Sequence, residues 1–264
     1  MRSQPKTRLA LLLLVCAALL GPVAPTWAHH ASPPGPVHAG NTFGWYPVAR
    51  RDEFVGPLQS IWRKRGHGVV KTRNGMLTLA ARRGSVSATQ DLPGHDTGRW
   101  EIRWKSKQYG TSRTPYTVRT ELIPAGDRPQ YCGARNIALE SYTHGRRKAR
   151  FYIHNLPNLA FTAGKAGRFG GDRWHTFAVE VTPKHISWFV DAHVIRTERR
   201  PEAYSGVPLT VRFSLNAVRG HAMNPTRMQM DWLRYWTLAK PDDKSIDAPA
   251  PTMGTYGKAC PPTA

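Results

Sequence analysis

Acidic residues are scarce in this sequence: 17 Asp and Glu stand against 38 Lys and Arg, a formal net charge of +21. Such an imbalance bears on partners and solubility, not on fold. Long apolar runs are scarcer still. The one that stands out, Leu9 to Leu20, has 12 residues, follows Arg2, Lys6 and Arg8, and precedes Thr26-Trp27-Ala28. A basic start, a short apolar stretch and a small-x-small end make a secretory leader, expected to be cleaved after residue 28. The run is too short to span a bilayer, which takes about 20 apolar residues, so no membrane span is expected. Without residues 1 to 28 the chain keeps 35 basic and 17 acidic side chains. Anionic cell-wall polymer, acidic polysaccharide and nucleic acid all fit that sign, and export leaves nucleic acid the weakest of the three.

Cysteine is equally sparse, with three in all, of which Cys16 lies in the leader. Cys132 and Cys260 remain, too few for a zinc site, and in an oxidising compartment they are expected to pair as a disulfide. Closing so long a loop is worth up to roughly 5 kcal/mol in the chain-entropy model. The sequence also lacks internal repeats and a usable N-glycosylation acceptor, because Pro225 spoils Asn224-Pro225-Thr226. Residues 29–43 and 240–264 are rich in Pro and Gly and read as flexible arms, the second tied back by the disulfide. His29-His30 belongs to the first arm rather than to a metal site.

What is present is period-2 alternation over short segments such as 99–105 (RWEIRWK), 116–123 (YTVRTELI), 135–142 (RNIALESY), 149–154 (ARFYIH) and 208–215 (PLTVRFSL). Each is bounded by Gly, Pro, Asn or Asp, and Thr182-Pro183-Lys184 reads as a hairpin turn. About a dozen such strands without a long amphipathic helix predict an all-β sandwich of two antiparallel sheets, one domain over residues 44–239.

Four segments then resemble glycoside hydrolase family 16. Gly98-Arg99-Trp100-Glu101-Ile102-Arg103 is similar to that family's G-R-[FW]-E-x-R strand. Trp174-His175-Thr176-Phe177 and Ile186-Ser187-Trp188-Phe189-Val190-Asp191 resemble its central pair, and Met230-Asp231-Trp232-Leu233-Arg234-Tyr235 its closing strand. The resemblance runs from about residue 50 to 238 and implies a concanavalin A-like jelly roll with a polysaccharide in a concave cleft. It implies no required cofactor. Some relatives hold a structural calcium on the convex face, for which Asp231 is the one candidate ligand here.

The family's catalytic strand reads E-[IL]-D-[IV]-E, sometimes with one inserted residue, and supplies nucleophile, assisting Asp and acid/base. A retaining pair of this kind needs carboxyl groups roughly 5 Å apart. The matching stretch here is Asn136-Ile137-Ala138-Leu139-Glu140. Strict alternation puts Asn136, Ala138 and Glu140 on the cleft face and leaves Glu140 as the lone acid. An amide cannot form the glycosyl ester, so double displacement is expected to fail at this strand. Aligning the preceding strand on Pro124 places Glu121, Arg119 and Thr117 on the same face, with His154 at the end of the next strand.

Several readings follow. Glu121 and Glu140 form a relocated catalytic pair, with Arg119 steering an anionic sugar, Asn136 beside it and His154 or Tyr142 moving protons; or Arg119 merely neutralises a glutamate across strands. Tyr142 and Trp188 are the candidate sugar platforms, most other aromatics being assigned to the core. Whether the chain is an enzyme stays open. If active it is a glycosidase hydrolysing O-glycosyl bonds; the alternatives are a non-catalytic, lectin-like binder of cell-wall or acidic polysaccharide, and a polysaccharide lyase. It is expected to be monomeric and secreted, extracellular or wall-associated.

Overall fold

The computed structural model describes residues 37–126 and 135–257. The chain divides into two units, Met1–Pro34 and Gly35–Ala264, and every described residue belongs to the second. The leader, His29-His30, Cys132 and Cys260 lie outside the described residues.

The alternating segments become strands. In chain order they are β1 (Arg50–Asp52), β2 (Trp62–Gly66), β3 (Val69–Arg73), β4 (Met76–Ala81), β5 (Val86–Gln90), β6 (Gly98–Gln108), β7 (Thr117–Pro124) and β8 (Ile137–Thr143). There follow β9 (Lys148–Asn155), β10 (Leu159–Ala166), β11 (His175–Val181), β12 (Ile186–Val190), β13 (His193–Glu198), β14 (Leu209–Asn216), β15 (Thr226–Trp236) and β16 (Thr252–Thr255). The first sheet runs β13-β12-β11-β6-β15-β4-β3, with β1 also on β15; the second runs β16-β10-β9-β8-β7-β14-β5-β2. As expected, this is an all-β jelly-roll sandwich of two antiparallel sheets, with the β11–β12 hairpin closed at Thr182, whose N–H donates to the His185 carbonyl at 2.9 Å.

The core is the meeting of two inner faces. Trp104, Phe177 and Trp188 from the first sheet face Val118, Leu139, Phe151 and Phe213 from the second, all with no solvent exposure. Trp104 stacks on Phe177 with centroids 5.3 Å apart. A buried Phe or Leu side chain contributes roughly 1.5–3 kcal/mol, so this layer carries most of the stability.

The outer faces differ. On the first sheet Ala178, Phe189 and Trp236 point outward and would be wet, but Ala39, Phe43 and Trp45 cover them. A short turn of helix, α1 (Ala39–Thr42), is pinned there by Glu101, whose carboxylate accepts the N–H groups of Ala39 at 2.6 Å and Gly40 at 3.0 Å. Gly40 is required because a Cβ would come within 2.6 Å of the Trp236 ring. The Trp45 indole donates to Asp242 at 2.6 Å, which holds the start of the C-terminal segment.

Residues 37–43 and the described part of the C-terminal arm are therefore docked rather than flexible. The apolar outer residues Phe189 and Trp236 supply the reason, since covering them removes apolar surface from water. The C-terminal segment then ends as β16, paired antiparallel with β10 at the edge of the second sheet. The outer face of the second sheet carries polar side chains and is the face left open.

Candidate functional site

The open face is built from β14, β7, β8, β9 and β10, side by side. Register places Arg212 beside Glu121, Glu121 beside Ala138, Ala138 beside Tyr152 and Tyr152 beside Thr162. One step along, Arg119 pairs with Ser141 and Ser141 with Arg150. Because side chains alternate, both rows project to the same side.

Glu121 lies at the floor, 1% exposed. Its carboxylate accepts Arg212 Nη2 at 2.7 Å, the Tyr152 hydroxyl at 2.5 Å and Asn136 Nδ2 at 3.4 Å, with Arg119 Nη1 at 3.7 Å. Burial alone would raise its pKa, but the Arg212 and Arg119 guanidinium groups and the Tyr152 hydroxyl together hold it below the usual carboxylate value. The same arrangement pushes the Tyr152 phenol well above its usual value, through burial first and the Glu121 charge second. Tyr152 is thus a protonated donor and Glu121 an ionised acceptor. Arg119, Glu121 and Asn136 therefore stand together.

Glu140 is elsewhere. Thr120 and Glu121 are consecutive on β7, yet they pair with Glu140 and Ala138, so Leu139 has no partner in that ladder. On the other side a single residue, Phe151, separates Tyr152 and Arg150, the partners of Ala138 and Ser141. This is a β-bulge, and it reverses the alternation that follows it. Glu140 then shares the inward side with Thr120 and Tyr142, and Ser141 takes the outward place beside Arg119.

The expectation that Glu140 lines the cleft as an acid is corrected on this ground. Its side chain has no exposure. Among the described residues its carboxyl accepts the Thr120 hydroxyl at 2.8 Å, while Oε2 has no hydrogen-bond partner. Desolvation pushes its pKa well above the usual value. A Glu121–Glu140 pair cannot reach one sugar from a common side. With one residue inserted, the three family positions fall on Asn136, Ala138 and Ser141, none of them an acid.

Two further expectations are corrected by the same parity. Tyr142 is 5% exposed and packs in the inner core against Phe169. Trp188 is fully buried, and its indole donates to the Ala138 carbonyl at 3.0 Å, bracing the strand from below. Neither is a sugar platform. His154 does line the groove, stacked between Tyr152 at 4.2 Å and Tyr256 at 4.1 Å.

The groove has two contiguous parts, of 580 Å³ and 720 Å³, which share Arg119, Ser141, Lys148 and Arg150. Arg196 and Thr252 extend the first, Arg146 and Arg147 the second, and neither part is lined by Asp or Glu. Arg146, Arg147, Lys148 and Arg150 are exposed and, among the described residues, have no carboxylate partner. Sequence reading missed Tyr152, Arg150, Lys148, Arg212 and Tyr256. For the first four the signal was present, since β9 and β14 alternate apolar with polar and put these side chains outward. Tyr256 gave none.

Nothing on the convex side fits a metal through the expected residue. Asp231 is held by Arg103 Nη1 at 2.6 Å, so a guanidinium stands where a calcium ion would. Glu180, His185 and Asp242 bring their ligand atoms within 4.8 Å of one another. Arg99 already occupies that cluster too, 2.7 Å from Glu180 and 3.5 Å from Asp242. Among the described residues no helix is long and apolar enough to cross a membrane.

No curated protein matches the chain. Several solved structures share its fold. A laminarinase from Rhodothermus marinus superposes with a TM-score of 0.58 at 15% identity, covering 72% of this chain and 96% of its own. An endo-β-1,3-glucanase from Pyrococcus furiosus gives 0.57 at 14%, covering 72% and 94%. A structure from a study of endo-acting O-glycanases expressed by human gut microbiota to initiate mucin breakdown gives 0.59 at 16%, covering 72% and 99%. Residues 164–234 match the family described as "Glycosyl hydrolases family 16". The chain has the jelly-roll fold of the family 16 glycoside hydrolases and carries that family's sequence signature over those residues.

Proposed function

We propose that this protein is a secreted, family 16-like jelly roll that holds an anionic polysaccharide in the groove of its second sheet and does not perform the family's retaining hydrolysis. The observation that carries the reading is the charge of the groove. Its two parts are lined by Arg119, Arg146, Arg147, Lys148, Arg150 and Arg196 with no acid among them. The floor carboxylate, Glu121, is consumed by Arg212 and Arg119. Cations left without partners in a groove attract an extended polyanion and raise its association rate. Arginine forks additionally match carboxylate, sulfate or phosphate oxygens two at a time. Retaining hydrolysis needs two carboxyl groups facing one glycosidic bond, and Asn136, Ala138 and Ser141 offer none. Export through residues 1–28 and action as a monomer belong to the same reading.

A second reading is favoured by one set of neighbours. The protonated Tyr152 hydroxyl, the His154 imidazole stacked on it and Asn136, whose buried Oδ1 has no partner among the described residues, stand together in a cationic site. That set suits β-elimination from a uronate. The imidazole takes the C5 proton, the C4–O4 bond breaks, the phenol protonates O4, and a C4–C5 double bond forms.

Retention on insoluble glycans, with product analysis, tests both. Retention on an acidic glycan, weaker on a neutral β-glucan and lost in high salt, is the expected result. New reducing ends with the ultraviolet absorbance of an unsaturated uronate would establish the second reading. Equal retention on neutral and acidic glycans would overturn the first.

A further inference from the structure

A separate cavity lies between the two sheets, away from the groove residues. It has a volume of 260 Å³ and is walled by Leu92, Trp100, Leu209, Leu233 and Tyr235, with Arg50, Asp52, Gln90, His95 and Thr210 as its polar side chains. Its roof is the loop after β5. Gly94 lets that loop approach β14: its φ is +78°, and a Cβ would stand 2.6 Å from the Leu209 carbonyl oxygen. His95 then bridges Leu209 through two backbone hydrogen bonds of 3.0 and 2.9 Å. The His95 ring lies flat on Tyr235, with centroids 4.2 Å apart and planes 8° apart, and Trp100 is 5.1 Å from Tyr235.

The polar groups of this cavity are unbalanced. Gln90 is 6% exposed and, among the described residues, its Nε2 has no hydrogen-bond partner. Buried amide donors in folded proteins are nearly always satisfied, and an orphan calls for an explanation. Arg50 is half-buried and, among the described residues, has no carboxylate in ion-pair contact. Asp52 does not supply the missing acceptor. Both its oxygens are taken, one by the Phe54 N–H at 2.9 Å and the other by the Trp62 indole at 2.8 Å. The cavity thus presents an amide donor and a cation over an aromatic and aliphatic wall, with the Asp52 carboxylate near enough to act on Arg50 through its charge but not in ion-pair contact with it.

We infer that this cavity is a second ligand site, selective for a small aromatic carboxylate whose acid group meets Arg50 and Gln90 and whose ring lies against Trp100, Leu233 and Tyr235. A carboxylate supplies the acceptors that the donors lack. A flat apolar body fits walls made of rings and Leu side chains, where a sugar's hydroxyl groups would go unpaired. The site is independent of the glycan groove, with which it shares no lining residue.

Titration calorimetry on the full chain with benzoate, benzamide and glucuronate tests this. Benzoate binding is expected, with benzamide and glucuronate at least about tenfold weaker. Arg50→Met and Gln90→Leu should each weaken benzoate by a similar factor while leaving retention on an acidic glycan unchanged, which also reports that both variants fold. Arg150→Ala, in the groove, should leave benzoate binding intact. No benzoate binding, equal binding of benzamide or glucuronate, or loss of benzoate on Arg150→Ala but not on Arg50→Met would overturn the inference.

Discussion

Glu121 and Glu140 sit on neighbouring strands in the middle of one sheet, 1% and 0% exposed, and their partners make them opposites. Glu121 faces the groove and meets two guanidinium groups, a phenol and an amide, so it stays ionised. Glu140 faces the inner core and meets the Thr120 hydroxyl, and burial pushes its pKa up. The backbone between them differs by one unpaired residue, Leu139. Burial by itself therefore decides neither charge nor role; the side of the sheet does, and a single bulge chooses the side.

The comparison breaks most sharply if Glu121 loses its arginine. Arg212→Met leaves a buried carboxylate with the more distant Arg119 as its one cation among the described residues, beside the Tyr152 hydroxyl and Asn136, and should cost roughly 3 kcal/mol in urea unfolding at pH 7. The folded pKa of Glu121 is lowered, so the stability it contributes is present above the unfolded value of about 4.5 and is lost as pH falls through the folded value. The gap between wild type and Arg212→Met should therefore narrow in acid.

Glu140 predicts the reverse sign. Its folded pKa is raised, so its contribution is fully present below about 4.5 and is lost as pH climbs towards the folded value. Glu140→Gln should match wild type near pH 4 and exceed it at alkaline pH, the gap widening by up to about 1.4 kcal/mol per pH unit. Denaturant midpoints at three pH values check this.

Smaller effects sharpen the picture of the groove. Arg150→Ala should weaken retention on an acidic glycan and make it less salt-dependent, by just under one unit in the slope of log affinity against log salt if each arginine displaces one counterion. Tyr256→Ala removes one ring from the stack on His154 and should cost about 0.5–1 kcal/mol of stability, with glycan retention little changed.

Much of this was legible in residue order. The alternating segments, the Thr182 turn, the lack of long helices among the described residues and the placement of Arg119 and Glu121 near Ala138 follow from turn residues and period-2 patterning. Outward Lys148, Arg150 and Tyr152 were written in the same alternation, since apolar Ala149, Phe151 and Ile153 separate them. The bulge was not legible, because Asn136-Ile137-Ala138-Leu139-Glu140 alternates cleanly as a sequence and the insertion is revealed only by pairing with β7 and β9. Tyr142 and Trp188 were misplaced for a related reason. An aromatic that looks like a platform in a glycan-associated strand is, on the inward parity, simply the core. The C-terminal strand gave no pattern at all, and its position depends on the edge of β10 being free to accept it.

The central claim is that no pair of carboxyl groups among the described residues faces the groove, and a hydrolysis assay on Glu140→Gln tests it most directly. Laminarin and an acidic glycan are incubated with wild type and with Glu140→Gln, and new reducing ends are counted. The prediction is that neither protein releases reducing ends by hydrolysis and that both are retained equally on the acidic glycan. Hydrolysis by wild type that disappears in Glu140→Gln would place that carboxyl at the scissile bond and contradict the account.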